Sequence, residues 1–390
     1  MRNWRHFIAV AAISPILGGQ TLAGFSAPPA SQISVEDAMA AAQNGNFETA
    51  RTLAISLADA GNADAQYLLG HLDQNGLGGP KNIKAAVGHF AEAAAAGQAN
   101  AQFALGELAY TGDGAVKDWK RAYEWFNLAA AQGHALAKVR LGYMYAEGQF
   151  VPQDPTRAAR LFEDAARRGV PAAQYHLGLL YLDGEGKARD YANAAYWFNE
   201  AAEQGDADSM YNLALILQSG RAGSTDIDGA LTWMTRAAEA GVLPAQVSLG
   251  LMHYSGQGAP VSKKTAATWF RRAAEGGSAE GMFLHAVSLS EGVIAPPDFK
   301  AALAWAERSV SASSGEPPDI LLERDGLRQQ LRDLVAEEAR RRAALTAANR
   351  PEPPPKVQVA DNDPLPAPAV SKKKPVPTPA EEKPPRGLRP

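Results

Sequence analysis

The feature that most constrains the fold of this sequence is a short phrase, close to AAxxG, that recurs at a constant interval. Its closing glycines are Gly61, Gly97, Gly133, Gly169, Gly205, Gly241 and Gly277. Each glycine follows the previous one by 36 residues, so no insertion or deletion interrupts the series. A fixed period of this length is typical of repeat proteins, in which each unit buries its apolar face only by packing against its neighbours.

Other columns of residues keep the same period. The eighth residue before each glycine is Leu53, His89, Trp125, Leu161, Trp197, Trp233 or Trp269. The eleventh residue before each glycine is always alanine, from Ala50 to Ala266. An active site needs one asymmetric set of side chains, whereas these residues recur in nearly every unit. The columns therefore indicate packing positions rather than catalytic ones.

Within a unit, the pattern predicts two helices. The first covers roughly residues 62–75 and its equivalents, because Ala65, Leu69 and Leu72 follow the helical spacing of four and three. A glycine-rich turn follows, and the marker glycine then closes a second helix. The sequence thus predicts an all-α chain of about seven 36-residue helix–turn–helix repeats stacked into an α-solenoid.

The segment AAQYHLGLLYLDGEG, followed by ANAAYWFNEAAEQG, resembles the Sel1-like repeat family, which is related to the tetratricopeptide repeats. The resemblance covers roughly residues 60–310 and implies a right-handed solenoid. It also implies an adaptor that scaffolds complexes, assists protein quality control or regulates envelope signalling. One cysteine-rich subgroup of the family is associated with β-lactam binding and hydrolysis and carries a disulfide in each repeat. This chain contains no cysteine.

The ends of the repeat region differ from its interior. We predict an N-terminal capping hairpin at 35–60, the seven repeats at 61–312 and a C-terminal capping helix at 313–349. A coiled coil is the alternative for the last segment. Residues 350–390 are predicted to be a disordered tail, because 13 of the 40 residues from Pro351 onward are proline. The tail is either passive or a tether, whose Lys372 to Lys374 can contact anionic cell-wall polymers.

The N-terminus predicts export. Arg2 and Arg5 precede a short apolar run from Phe7 to Leu17, and Ala23 offers a small residue for signal peptidase. This run is shorter than the roughly 20 residues that a membrane-spanning helix needs. We therefore expect a signal peptide at 1–23, cleaved after Ala23, then a linker at 24–34 and a periplasmic or secreted chain without a membrane span. An uncleaved anchor is the alternative.

The residue patterns of common catalytic and metal sites are missing from the sequence. The histidines fall at different repeat positions, and neither HExxH nor GxSxG occurs. Without cysteine there is no thiolate ligand or nucleophile. We therefore predict that the chain is not an enzyme and has no metal or cofactor. A net charge of −4 also argues against binding to nucleic acid.

The most variable positions of the repeats predict a binding surface. Offsets 3, 7, 10 and 14 from the marker glycine lie on one face of each first helix. In the family this face lines the concave side. We predict a groove with an apolar centre and polar flanks that takes a helix or an extended peptide of another protein. The predicted binding residues are Glu107, Arg140, Tyr143, His176, Leu179, Asn212, Leu215 and Leu251. Alternatively, the leucines pack on the next helix and bind nothing.

These observations favour an exported, non-catalytic scaffold that binds another protein, and the family resemblance implies that it regulates or assembles a bacterial cell-envelope complex. A factor that binds cell wall or envelope polysaccharide is the alternative from another functional class. Such a factor would expose aromatic and polar side chains on the concave face. A hydrolase acting on β-lactams or wall peptides is a minor alternative.

Overall fold

A computed structural model describes residues 34–114 and 116–349 of the chain. The predicted signal peptide at 1–23 and the predicted tail at 350–390 lie outside the described residues, as does the predicted linker apart from Ser34. The described residues fall into two units, one that ends at Ala336 and one that begins at Glu337. All of the repeats belong to the first unit.

The described residues form seventeen α-helices and no strands. Two helices, α1 (Val35–Gln43) and α2 (Phe47–Asp59), precede the repeats, and α17 (Pro318–Ala348) follows them. The first helices of repeats 1 to 7 are α3 (Ala63–Asn75), α5 (Ala99–Thr111), α7 (Ala135–Glu147), α9 (Pro171–Asp183), α11 (Ala207–Ser219), α13 (Leu243–Ser255) and α15 (Ala279–Ser290). The second helices are α4 (Ile83–Ala95), α6 (Trp119–Ala131), α8 (Pro155–Ala166), α10 (Tyr191–Glu203), α12 (Ile227–Glu239), α14 (Lys263–Glu275) and α16 (Phe299–Ala312). The predicted all-α fold of seven consecutive repeats is confirmed.

Local sequence signals set the ends of these helices. Each second helix begins after a polar side chain that accepts a hydrogen bond from a backbone N–H in its first turn: Asn82, Asp118, Asp154, Asp190, Asp226, Ser262 and Asp298. Caps of this kind contribute about 1 kcal/mol each. Six of the seven first helices end at a glycine in the left-handed conformation, such as Gly148 with φ 67°, whereas α15 ends at Glu291. Most residues avoid this conformation, so the glycine column marks the turn.

The core of a repeat lies where its two helices pack together. In most repeats this contact is made by the same two positions, one on each helix. In five repeats a glycine of the first helix faces a buried phenylalanine of the second: Gly70 and Phe90, Gly106 and Phe126, Gly142 and Phe162, Gly178 and Phe198, Gly250 and Phe270. A Cβ atom on Gly142 would lie 2.6 Å from the Phe162 ring. Repeat 5 instead pairs Ala214 with Met234. The larger first-helix residue is matched by a slimmer partner, as close packing requires.

The last repeat is covered by α17. Leu331 is 1% exposed and packs with Ala286, Ala302 and Ala306 of repeat 7. Arg324 is buried as well, and its guanidinium lies 2.7 Å from the Glu316 carboxylate, which compensates its charge. The apolar face that repeat 7 would otherwise leave open is therefore shielded from water, as in the capping elements of other solenoids.

Candidate functional site

The eight predicted binding residues lie on five consecutive first helices, α5, α7, α9, α11 and α13. We refer to these residues together as the first-helix face: Glu107, Arg140, Tyr143, His176, Leu179, Asn212, Leu215 and Leu251. The structure brings two pairs of them into direct contact and leaves two leucines exposed. The face therefore changes in character along the solenoid.

Glu107 and Arg140 form an ion pair between repeats 2 and 3. The Nε and Nη2 atoms of Arg140 each donate a 2.6 Å hydrogen bond to one oxygen of the Glu107 carboxylate. Both side chains are about three-quarters buried, at 22% and 24% exposed. Burial alone would lower the pKa of Arg140, but the hydrogen bond and charge of Glu107 outweigh it and raise that pKa. The guanidinium is thus satisfied within the protein.

Tyr143 and His176 form the next contact, between repeats 3 and 4. Their rings meet edge to face, with centroids 4.6 Å apart, and His176 also stacks on Phe162 at 5.3 Å. His176 is only 6% exposed, and burial lowers its pKa to about 3. Burial likewise raises the pKa of Tyr143. The His176 imidazole is therefore neutral, and it packs against the Tyr143 ring instead of reaching the solvent.

These two contacts follow one rule: the side chain at offset 10 meets the side chain at offset 7 of the next repeat, 33 residues later. From Leu179 onward, the side chains at these two offsets make other contacts. The Nδ2 atom of Asn212 donates a 2.8 Å hydrogen bond to the carbonyl oxygen of Asp208 on its own helix. Leu179 is half-buried against the core of repeats 4 and 5.

Leu215 and Leu251 remain the most exposed of the predicted binding residues, at 37% and 41%. Position 248, which stands 33 residues after Leu215, is Ser248, a side chain too small to cover a leucine. The first-helix face in repeats 5 and 6 therefore keeps accessible apolar surface that its counterpart in repeats 2 to 4 does not.

Two carboxylates lie at the N-terminal end of α11, the helix that carries Leu215. Asp206 caps α11 and accepts a 2.8 Å hydrogen bond from the backbone N–H of Ser209. Burial raises the pKa of Asp206, and burial together with the charge of Asp206 raises the pKa of Asp208. Asp208 shares one face of α11 with Leu215, two turns away. A cation that approached Asp206 and Asp208 would therefore meet carboxylates that are poorly solvated.

The sequence prediction grouped positions by their offset within a repeat but missed contacts between repeats. The opposite charges of Glu107 and Arg140, 33 residues apart, were the signal that could have revealed the pairing. It also missed Asp206, and it did not name Asp208 as a binding residue although Asp208 stands at offset 3 of the predicted face. Among the described residues, no group of three or more histidine, aspartate or glutamate side chains could hold a metal ion. No helix in the described part of the chain is both long and apolar enough to cross a bilayer.

Comparison with known proteins places the repeats in a family. The Sel1 repeat family model matches residues 63–98, 99–134, 135–170, 171–206, 207–242, 243–278 and 279–314, which together make up more than half of the chain. No curated protein matches the chain.

Two solved structures resemble the chain over most of its repeats. A protective antigen of uropathogenic Escherichia coli with an SLR fold is 26% identical, with a TM-score of 0.64 over 72% of this chain. The chain covers 64% of that protein's length. A Sel1 repeat protein from Oxalobacter formigenes is 29% identical, with a TM-score of 0.56 over 61% of this chain and 96% of its own. These similarities support the fold.

Proposed function

The chain belongs to the Sel1 repeat family, and from this premise we propose that it is a non-catalytic scaffold that binds another protein through the first-helix face. Sel1 repeat proteins are generally scaffolds for protein–protein interactions. The observation that carries the proposal is the exposure of Leu215 and Leu251 on neighbouring first helices. Apolar side chains at the centre of a groove are the usual anchors of a bound helix or peptide.

The chemistry around these leucines favours a particular partner. Its apolar side chains would cover Leu215 and Leu251, and a lysine or arginine beside them would approach Asp206 and Asp208. Burial disfavours the charge of both carboxylates, so a cation of the partner would stabilise them and gain affinity. We therefore expect an amphipathic helix, or an extended segment, with basic residues flanking its apolar ones.

The proposed setting is the bacterial cell envelope. The predicted signal peptide supports a periplasmic or secreted location, and the scaffold would there regulate or assemble an envelope complex. This assignment rests on the sequence of the N-terminus and on what the family resemblance implies.

The test is affinity capture from the native envelope after crosslinking, with the full chain and two variants as baits. The first variant carries Leu215→Ser and Leu251→Ser. The matched control carries Ile55→Ser and Ile294→Ser, which remove exposed apolar side chains elsewhere on the protein. The mass of the natively purified chain reports whether residues 1–23 have been removed.

We expect the first variant to lose a partner that the wild type and the control retain, while all three have the same circular dichroism. Equal capture by all three proteins would refute the first-helix face as the binding surface. Retention of the wild type by purified cell wall, together with the absence of a protein partner, would instead favour the polysaccharide-binding alternative.

A further inference from the structure

Repeat 3 lacks an indole that the repeats around it possess. Trp125, Trp197 and Trp233 each pack against a core cluster that includes the second helix of the preceding repeat. In repeat 1 the position holds His89, whose Nδ1 atom lies 2.7 Å from Oε1 of Gln66. In repeat 3 it holds Leu161, which packs against the same kind of core cluster on α6 but is a smaller side chain than tryptophan.

An open groove lies at this position. It has a volume of about 660 Å³ and runs between α6 and α8. Its apolar floor consists of Ala130, Ala131, Leu141 and Leu161. A tryptophan at position 161 would project into this space, by analogy with the neighbouring repeats. The groove is therefore shaped to accept an aromatic side chain that the chain itself does not supply.

The rim of the groove carries more positive charge than negative. Its cations are Lys138, Arg157 and Arg160, and its carboxylates are Asp154 and Asp164. Asp164 pairs with Lys138, and Asp154 accepts a 2.9 Å hydrogen bond from the backbone N–H of Arg157. Arg160 is exposed and makes no ion pair with another described residue. The charge that remains favours an anionic ligand.

The loop that leads from α7 to the groove residue Asp154 contains a strained aromatic residue. Phe150 has φ 64° and is 49% exposed, whereas the equivalent left-handed positions of repeats 1, 2, 4 and 6 are Gly78, Gly114, Gly186 and Gly258. A phenylalanine in this conformation costs conformational free energy that glycine avoids. Its ring lies 5.6 Å from Tyr123. Tyr123 is hydrogen-bonded to Tyr145, and the guanidinium of Arg157 lies 4.3 Å from the Tyr145 ring.

We propose that the groove between α6 and α8 binds an acidic segment of a partner protein, which inserts an aromatic side chain over Leu161. Arg160 and Arg157 attract the acidic residues of the segment, and Phe150 extends the apolar contact at the loop end. The groove shares no residue with the first-helix face, so this second docking site goes beyond the proposed function and does not depend on it.

The experiment measures fluorescence anisotropy of short labelled peptides added to the full chain. The main probes carry one central tryptophan, phenylalanine or tyrosine flanked by aspartate and glutamate. One control peptide has alanine at the centre, and another has lysine in place of the acidic residues. The protein variants are Leu161→Trp, which fills the groove, and Arg160→Glu. The matched controls are Ile55→Trp and Lys300→Glu, which make comparable changes at exposed positions far along the chain.

We expect the acidic aromatic peptides to bind the wild type, and Leu161→Trp and Arg160→Glu each to weaken binding by about tenfold or more. The two control variants should bind within about twofold of the wild type. All variants should keep the thermal midpoint of the wild type or, for Leu161→Trp, exceed it. The proposal is overturned if no acidic aromatic peptide binds. It is also overturned if the alanine peptide binds equally well, or if Leu161→Trp leaves affinity unchanged.

Discussion

Two regions of the same solenoid use the same backbone positions in opposite ways. In repeats 2 to 4, Glu107 pairs with Arg140 and Tyr143 packs on His176; we call these four residues the coupled segment. In repeats 5 and 6 the corresponding side chains, Leu215 and Leu251, remain exposed, and we call them the leucine segment. One region satisfies its polar and aromatic groups internally, whereas the other leaves apolar surface for a partner.

We infer that the coupled segment contributes mainly to the stability of the solenoid and the leucine segment mainly to binding. Contacts between neighbouring first helices hold the coupled segment together before any partner arrives. The leucine segment contributes favourable free energy only when a partner covers it, roughly 25 cal/mol for each Å² of apolar surface removed from water. Substitutions in the coupled segment should therefore alter unfolding, and substitutions in the leucine segment should alter partner capture.

The largest expected effect comes from removing the ring beneath the coupled segment. Phe162 is fully buried and contacts both Tyr143, at 5.5 Å, and His176, at 5.3 Å. Phe162→Ala should lower the free energy of unfolding by about 3–5 kcal/mol, because it loses buried apolar surface and leaves a cavity. Urea unfolding followed by circular dichroism measures this loss.

The control for this prediction is Leu128→Ala on the preceding second helix. Leu128 is 50% exposed, so its truncation should change the free energy of unfolding by no more than about 0.5 kcal/mol. A loss below about 1 kcal/mol for Phe162→Ala would show that the coupled segment does not depend on this ring.

The sequence was sufficient to predict the helical architecture because the repeat multiplies every local signal. A single glycine or alanine indicates little, but a column of seven identifies turns and packing positions. The exceptions were harder to interpret. Ala214 and Met234 depart from the glycine–phenylalanine pairing, and only the packed structure relates the two departures to one another.

The binding surface was predictable only in outline. Helical spacing assigns side chains to one face of a helix, but it does not determine which neighbours meet across repeats. For this reason Arg140 and His176 were predicted as polar flanks of a groove. In the structure Arg140 is hydrogen-bonded to Glu107, and His176 is buried. Their participation in binding stays a prediction, and so does that of the exposed leucines.

An intermediate effect is expected from the ion pair of the coupled segment. Glu107→Gln keeps the shape of the side chain but removes the charge that holds Arg140. We expect the free energy of unfolding to fall by about 1–2 kcal/mol, because a partly buried guanidinium then lacks its counter-charge. A double-mutant cycle with Arg140→Met isolates the coupling. The matched substitution in the leucine segment, Leu215→Gln, should be nearly neutral, and equal losses for both would erase the contrast between the regions.

The effect that is smallest at neutral pH is a pH dependence that originates at His176. Burial lowers its pKa to about 3, whereas an unfolded histidine titrates near 6.5. The unfolded chain therefore binds a proton that the folded chain excludes between these two values. Stability from this source is complete above about pH 6.5 and declines as the pH falls, by up to about 1.4 kcal/mol per pH unit.

His176→Leu should remove this slope, since Leu68 and Leu284 already occupy the same offset in repeats 1 and 7. The measurement is the free energy of unfolding in urea between pH 7 and pH 5 for the wild type and the variant. The difference between the two curves isolates His176 from the other histidines, which are common to both proteins. Parallel curves would mean that His176 gains a proton in the folded state as readily as in the unfolded one, and the imidazole would then belong to an accessible surface like that of the leucine segment.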